Sequence, residues 1–260
     1  MTHPLFDLSG KVAVITGSSR GIGRSIAEEF ARAGAKVVIS SRKLDACVAV
    51  RDAIIADGGE AIAVPCNIGR KEELQNLVDT TIAQWGRIDI LVANAAINPA
   101  YGPLGSLSDE AWDKIMGSNL RSTWWLCNMV LPAMAERRDG SVIVLSSIAG
   151  LRGNPVIGAY GVSKAAEAAL VRNLAVEFGP SNIRVNAIAP GIVETDFAKA
   201  LTDNPDIARA VRKRAPLGRF GKPQEIAGVA LMLAGPAGGF VTGQLIVADG
   251  GATIADPTVI

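Results

Sequence analysis

Short apolar runs alternate with longer amphipathic stretches along nearly the whole chain, and the two patterns predict strands and helices in turn. Lys11 to Thr16 carries adjacent apolar residues rather than one at every second position, as a parallel strand buried on both faces requires. Ile22, Ile26 and Phe30 then recur at intervals of four, the spacing of one helix face, and Gly34 marks that helix's end. Lys36 to Ser41 predicts a second strand, Leu44 to Asp57 a helix stopped by Gly58-Gly59, and Ala61 to Cys66 a third strand. Leu74, Leu77, Val78, Ile82 and Trp85 form the next helical stripe before Gly86, and Ile88 to Ala93 gives strand four. Ser108 to about Glu136 reads as one long helix, with Ser108 as its N-cap and Asp109 and Glu110 in its first turn. Ser141 to Ser146 is strand five. A helix from Gly158 to Phe178 stops at Gly179-Pro180, where glycine can take the left-handed cap and proline cannot continue. Ile183 to Ile188, a helix over Gln224 to Ala234, and a strand over Gln244 to Ala248 complete the series. The strict alternation predicts an α/β fold: a doubly wound, seven-stranded parallel sheet with helices on both faces.

Composition narrows the class. With 260 residues, 49% of them apolar, the chain can bury a large core; no linker or charge block divides it, so a single domain over residues 1–260 is expected. No apolar run is long enough to span a membrane, and Met1 to Gly10 lacks the pattern of a secretory signal, so a cytoplasmic protein is expected. A net charge of +1 implies no general attraction to nucleic acid, and the cluster Arg212-Lys213-Arg214 reads as a solvated face. Cys47, Cys66 and Cys127 show no Cys-x-x-Cys spacing and His3 is the single histidine, so no metal site is expected and the thiols read as core packing.

Two stretches carry chemistry. After strand one, Gly17-Ser18-Ser19-Arg20-Gly21-Ile22-Gly23 opens a helix, the strand, glycine turn and helix order that receives a dinucleotide pyrophosphate on free N–H groups and a positive dipole end. That makes the sheet Rossmann-type. The other stretch is Tyr160-Gly161-Val162-Ser163-Lys164, where Tyr160 and Lys164 at i and i+4 share a helix face and set an ammonium beside a phenol. A tyrosine titrates near 10 in water, so it serves as acid or base at neutral pH only where a positive charge favours the phenolate. Ser147, after strand five, can hydrogen-bond a substrate oxygen while Tyr160 moves the proton. The Tyr-x-x-x-Lys spacing alone also arises on ordinary helix surfaces.

Taken together, Thr16-Gly17-x-x-x-Gly21-x-Gly23, Asn94-Ala95-Ala96, Asn119, Ser147 and Tyr160-x-x-x-Lys164 resemble the short-chain dehydrogenase/reductase family, over roughly Leu8 to Gly251. The resemblance implies a nicotinamide-dependent oxidoreductase with Ser147, Tyr160, Lys164 and Asn119 as its catalytic set. Asn119 is implied to hold a water that links Lys164 to solvent; a helix-bending amide is the other reading. Cofactor contacts are implied at Gly17, Ser19, Arg20, Gly21, Ile22, Gly23, Ser41, Arg42, Asn67, Ile68, Asn94, Ala95, Tyr160, Lys164, Pro190, Gly191, Val193 and Thr195. Asn67 stands where the family usually has Asp, and Asn94-Ala95-Ala96 where Asn-Ala-Gly is usual; Asn94 would tie strand four to its neighbours or meet the adenine ribose. The end of strand two, Ser40-Ser41-Arg42-Lys43, has no carboxylate for ribose hydroxyls, and Arg42 and Arg20 can meet a 2′-phosphate, so NADP(H) is expected.

Residues 191–217 are implied to form a substrate lid, with Phe197 and Leu201 as a partly apolar cover and a helix over Asp206 to Arg214. Ile148, Leu151, Asn98, Pro99 and Tyr101 face it as pocket candidates, which favours an apolar ketone, aldehyde or alcohol. The motifs look most like NADPH-dependent carbonyl and retinal reductases, although the chain ends Thr258-Val259-Ile260 without their peroxisomal address. They resemble 3-oxoacyl-carrier-protein reductases nearly as well, for which Arg137 and Arg138 would dock an acidic carrier or simply be solvated. A catalytically silent dinucleotide-binding module and an interaction protein presenting Trp124 and Trp125 are the rival classes. A homotetramer is implied by resemblance, with a small-molecule substrate and neither nucleic acid nor membrane as partner.

Overall fold

Every strand the hydrophobic pattern predicts forms, and each pairs parallel to its neighbour. The computed structural model describes residues 3–199 and 203–255, so Leu201 lies outside the described residues. The strands are β1 (Val12–Thr16), β2 (Lys36–Ser41), β3 (Glu60–Pro65), β4 (Ile90–Ala93), β5 (Gly140–Leu145), β6 (Ile183–Pro190) and β7 (Leu245–Ala248). They lie in the order β3-β2-β1-β4-β5-β6-β7. The chain reverses its direction of winding between β1 and β4, which opens a crevice at the C-terminal ends of the strands, where ligands of such sheets bind.

The helices are α1 (Gly21–Arg32), α2 (Leu44–Ala56), α3 (Lys71–Trp85), α4 (Asp109–Met116), α5 (Ser122–Arg137), α6 (Gly158–Phe178), α7 (Pro205–Arg214) and α8 (Pro223–Ala234). β1 shows why its apolar residues are contiguous: Ala13 and Ile15 enter the core layer under α1, α2 and α8, while Val14 enters the opposite layer under α3, α5 and α6. Both layers are closed to solvent, with Phe30, Ile39, Leu74, Leu91 and Leu126 at 2% exposure or less. Among the described residues no helix is long and apolar enough to cross a membrane.

The structure corrects the long fourth helix. Ser108 does cap it, accepting a hydrogen bond from the Ala111 amide at 3.3 Å, but residues Gly117–Arg121 widen into a π-helical turn that separates α4 from α5. The cause is Asn119. Its amide side chain turns into the protein and clamps the backbone of Ile97, accepting from the amide at 2.9 Å and donating to the carbonyl at 3.0 Å. Such turns inside helices recur where one side chain must be aimed at a site.

Candidate active site

Three side chains build the glycine turn after β1. Ser18 donates to the Ile15 carbonyl at 2.7 Å and accepts from the Ser40 amide at 2.8 Å, which staples the turn to β2. Asn94 donates to the carbonyls of Thr16 at 2.8 Å and Gly17 at 3.2 Å, while the Thr16 hydroxyl accepts from the amides of Asn94 and Ala95. Asn94 thus ties β4 to its neighbour, one of the two roles expected of it. Gly17 has φ +68°, a conformation other residues adopt at a cost. A Cβ on Gly23 would lie 2.5 Å from both the Asn94 amide nitrogen and the Gly17 carbonyl oxygen, so the helix can start this close to the turn only with glycine there.

α1 begins at Gly21 with no side chain capping its N-terminus, which leaves first-turn N–H groups and the positive dipole end for an anion. Thr195, on the segment after β6, packs against Gly21, 3.3 Å from where a Cβ would stand. The predicted Pro190-Gly191 to Thr195 segment and the glycine turn therefore face each other. Val193 is buried and its neighbour Gly191 crosses so close to Asp249 that a Cβ would not fit. At the end of β2, Ser41 is half-buried and its hydroxyl lies 3.1 Å from the Cys47 thiol; Arg42 is exposed and makes no ion pair among the described residues. Asn67 and Ile68 follow β3, where Asn67 Oδ1 accepts from the Gly69 amide at 3.1 Å and Ile68 packs on the core. An uncapped helix start and a glycine cradle together fit a pyrophosphate, and the Arg42 guanidinium stands at the tip of β2 without an ion-pair partner among the described residues. Gly21 and Thr195 also line a cavity of about 550 Å³, whose other walls carry Arg24, Glu28, Asp196 and Lys199. None of Ser147, Tyr160 or Lys164 borders it, so it is not the reaction site.

The catalytic candidates lie farther along the same rim. Ser147 stands two residues past the end of β5, in extended backbone, and its hydroxyl accepts from the Ala149 amide at 3.1 Å. Tyr160 and Lys164 project from one face of α6, with the Lys164 ammonium 5.6 Å from the Tyr160 ring centroid. Both are buried. Lys164 Nζ donates to the Leu145 carbonyl at 2.8 Å and to both carboxylate oxygens of Glu167, at 2.9 and 3.0 Å. Asn119 reaches the same helix through Ser163: its amide donates to the Ser163 hydroxyl at 3.0 Å, and that hydroxyl donates to the Tyr160 carbonyl at 2.8 Å. Asn119 thereby fixes the first turn of α6 against the loop after β4.

Burial raises the Tyr160 pKa above its ordinary value; the Lys164 ammonium opposes this, the Glu167 carboxyl adds to it, and the Ser147 hydroxyl lowers it. The expected depression of the tyrosine by Lys164 is therefore present but outweighed. Burial works against the Lys164 ammonium too, yet Glu167 and Tyr160 hold its pKa above the usual lysine value. Burial pushes the Glu167 carboxyl up to about 7, with Lys164 pulling it back.

Phe197 covers Tyr160, their ring centroids 6.2 Å apart, and the Tyr101 loop is pinned beside the start of α6 by the Gly102 amide donating to the Val156 carbonyl at 2.8 Å. Arg137 is placed elsewhere. It donates to the Ile88 carbonyl at 2.6 Å at the N-terminal edge of the sheet, and Arg138 sits in the left-handed cap of α5, its carbonyl bonded by Asn182. Both lie on the rim opposite the site, away from where a carrier protein would have to dock. Ser18, Ser163 and Glu167 are the site residues that the sequence reading missed. Glu167 had a signal: a carboxylate three positions after Lys164 on a helix stretch otherwise of alanine and leucine.

Comparison with known proteins places the chain among dehydrogenases and reductases of the same fold. Residues 17–253 match the protein-family model described as enoyl-(acyl carrier protein) reductase. The chain is 40% identical over 248 residues to dehydrogenase/reductase SDR family member 4 of Oryctolagus cuniculus, covering 94% of each chain. It is 39% identical over 247 residues to the Bos taurus protein of that name, covering 94% of this chain and 88% of the other. A solved 7α-hydroxysteroid dehydrogenase complexed with NADH and 7-oxo glycochenodeoxycholic acid superposes with a TM-score of 0.92 at 38% identity, covering 96% of this chain and 98% of that one. A gluconate 5-dehydrogenase from Burkholderia cenocepacia J2315 in complex with NADP and tartrate gives 0.93 at 32% identity, covering 97% and 99%.

Proposed function

The chain belongs to the short-chain dehydrogenase/reductase family, and from that premise we propose that it is an NADP(H)-dependent oxidoreductase acting on ketones or aldehydes and the corresponding alcohols. The observation that carries this reading is the buried Tyr160 hydroxyl flanked by the Lys164 ammonium and the Ser147 hydroxyl on the rim that holds the glycine turn. When bound, the nicotinamide supplies or accepts the hydride at the carbonyl carbon.

The chain's own groups handle the oxygen. Ser147 donates a hydrogen bond to the substrate oxygen, and the Tyr160 hydroxyl gives its proton to that oxygen in reduction or takes one from the alcohol in oxidation. Lys164 holds a positive charge beneath the Tyr160 ring and steadies the phenolate left behind. Ser163 and Asn119 keep the start of α6 in register with Ser147. Because the net environment raises the Tyr160 pKa, the phenol stays protonated at neutral pH, the state that donates. Phe197 shields the pair and gives the pocket an apolar wall, which favours apolar carbonyl compounds.

The preference for NADP(H) rests on the tip of β2. Arg42 offers a fork of donors to a phosphate, and no carboxylate stands there to accept ribose hydroxyls. Steady-state turnover of a panel of ketones, aldehydes and secondary alcohols, with NADPH and NADH in parallel, tests the proposal. Reduction with NADPH ahead of NADH is expected, with alcohol oxidation rising toward alkaline pH as Tyr160 loses its proton. NADPH binding without turnover across the panel would instead indicate a silent dinucleotide-binding module.

A further inference from the structure

We infer that Glu167 is a positioning residue of this active site: its carboxylate clamps the Lys164 ammonium and offsets the field that ammonium casts on the Tyr160 hydroxyl. The inference rests on the oxidoreductase reading for its meaning in catalysis, but its geometry stands alone. Lys164 has three N–H donors, and the Leu145 carbonyl and the two Glu167 oxygens take up all three, at 2.8, 2.9 and 3.0 Å. Both side chains are 2% exposed, so water does not screen the pair.

Among the described residues no other charge replaces Glu167: Lys164 is the one charged group acting on its carboxyl, and Glu167 and Tyr160 are those acting on Lys164. Tyr160 responds to Lys164, Glu167 and Tyr101, with Ser147 as a hydrogen-bonding neighbour. From the elements packed on α6, β6 brings Arg184, whose guanidinium is engaged by the carbonyls of Leu233, Ala234 and Gly238. α4 brings Asp109, Glu110, Asp113 and Lys114, all exposed; α5 brings Glu136, exposed, and Arg137, held by Ile88. The turns after β5 and the π-helical turn before α5 offer Ser146, which bonds the Lys164 carbonyl, and Asn119, which bonds Ser163.

The sign follows from this arrangement. An ionised Glu167 cancels much of the ammonium's pull on the phenolate, so the phenol keeps its proton to higher pH. Replacing the carboxylate by an amide of the same shape leaves Lys164 in place but uncancelled, and the phenol then ionises at lower pH.

The chain has two tyrosines, so in a Tyr101→Phe background the tyrosinate absorbance reports Tyr160 alone. The test compares that titration in Tyr101→Phe and in Tyr101→Phe with Glu167→Gln, together with the acidic limb of kcat/KM for alcohol oxidation. Both midpoints are expected to move to lower pH by about one unit, the scale of a lost neighbouring charge, and Glu167→Asp is expected to restore the parent position. Coincident titrations in two folded proteins would overturn the inference. Should Glu167→Gln fail to fold, carbon-13 resonances of Glu167 Cδ and Tyr160 Cζ in the unmutated chain decide: a step in Tyr160 is expected where Glu167 titrates, and its absence overturns the inference. Loss of turnover across the whole substrate panel would instead defeat the oxidoreductase reading and leave these titrations unmoved.

Discussion

Arg42 is the side chain on which the proposed preference for NADP(H) turns. It is exposed, unpaired among the described residues, and stands at the end of β2. A charge-assisted hydrogen bond contributes about 1.5–3 kcal/mol, so Arg42→Ala is expected to weaken NADPH binding by about 10- to 100-fold and to leave NADH binding nearly unchanged. Parallel fluorescence titrations with the two nucleotides check this, and equal losses for both would remove the basis for the NADP(H) assignment. Lys164 and Glu167 present the opposite case, a pair whose value lies in burial. Removing one partner of a buried ion pair typically costs about 3–5 kcal/mol, because the other charge is left without compensation. The amide replacement is chosen for that reason, since it keeps a hydrogen-bond acceptor beside the ammonium. Such residue-scale partnerships were only partly legible. Tyr160, Lys164 and Ser147 could be named from spacing and resemblance, whereas the net rise of the tyrosine pKa comes first from its burial and then from Glu167, and burial is a property of the packed fold that spacing does not give.

Among the elements, the glycine turn and α1 act as one piece. The absent Cβ of Gly23 is what allows Asn94 and the Gly17 carbonyl to meet. Gly23→Ala forces the Asn94 side-chain amide and the Gly17 carbonyl apart, and a destabilisation of about 1–3 kcal/mol is expected with loss of tight nucleotide binding. Gly228, inside α8, has open space where its Cβ would stand, so Gly228→Ala is expected to stabilise by up to about 1 kcal/mol through helix propensity alone. Thermal unfolding of the two variants, with NADPH fluorescence, separates close packing from propensity. The elements themselves were readable because each buried strand is short, apolar and bounded by glycine or polar turns. α6 begins and ends at the predicted Gly158 and Phe178, but Gly179 does not take the expected left-handed cap: it stays right-handed at φ −55°, the chain runs on as a 3₁₀ turn over Gly179–Ser181, and Asn182 takes the left-handed position at φ +61°. The predicted helix from Ser108 to Glu136 carries only Gly117 as a weak interruption near Asn119, and one glycine inside a helical pattern does not by itself break it. Its π-helical turn arises from a tertiary demand, the two hydrogen bonds to Ile97, which local propensity does not encode.

At the level of the molecule, strand order places the whole constellation on one rim. The switch between β1 and β4 opens the crevice, β1 and α1 supply the glycine turn, and β5 and α6 bring Ser147, Tyr160 and Lys164 to its far side. Arg137 and the charged group around Asp89 lie at the other ends of the strands, where they fasten the sheet instead of meeting ligand. That separation of rims follows from parallel topology and could be inferred once the alternation of elements was recognised; which exposed arginine lies on which rim could not be judged from charge alone. The most direct measurement is steady-state carbonyl reduction by Tyr160→Phe beside the wild type, at saturating NADPH, with nucleotide binding measured on the same samples. Loss of the proton donor is expected to lower kcat by about two to four powers of ten while NADPH affinity stays near the wild-type value. Near-full turnover of several carbonyl substrates by the phenylalanine variant would contradict the account.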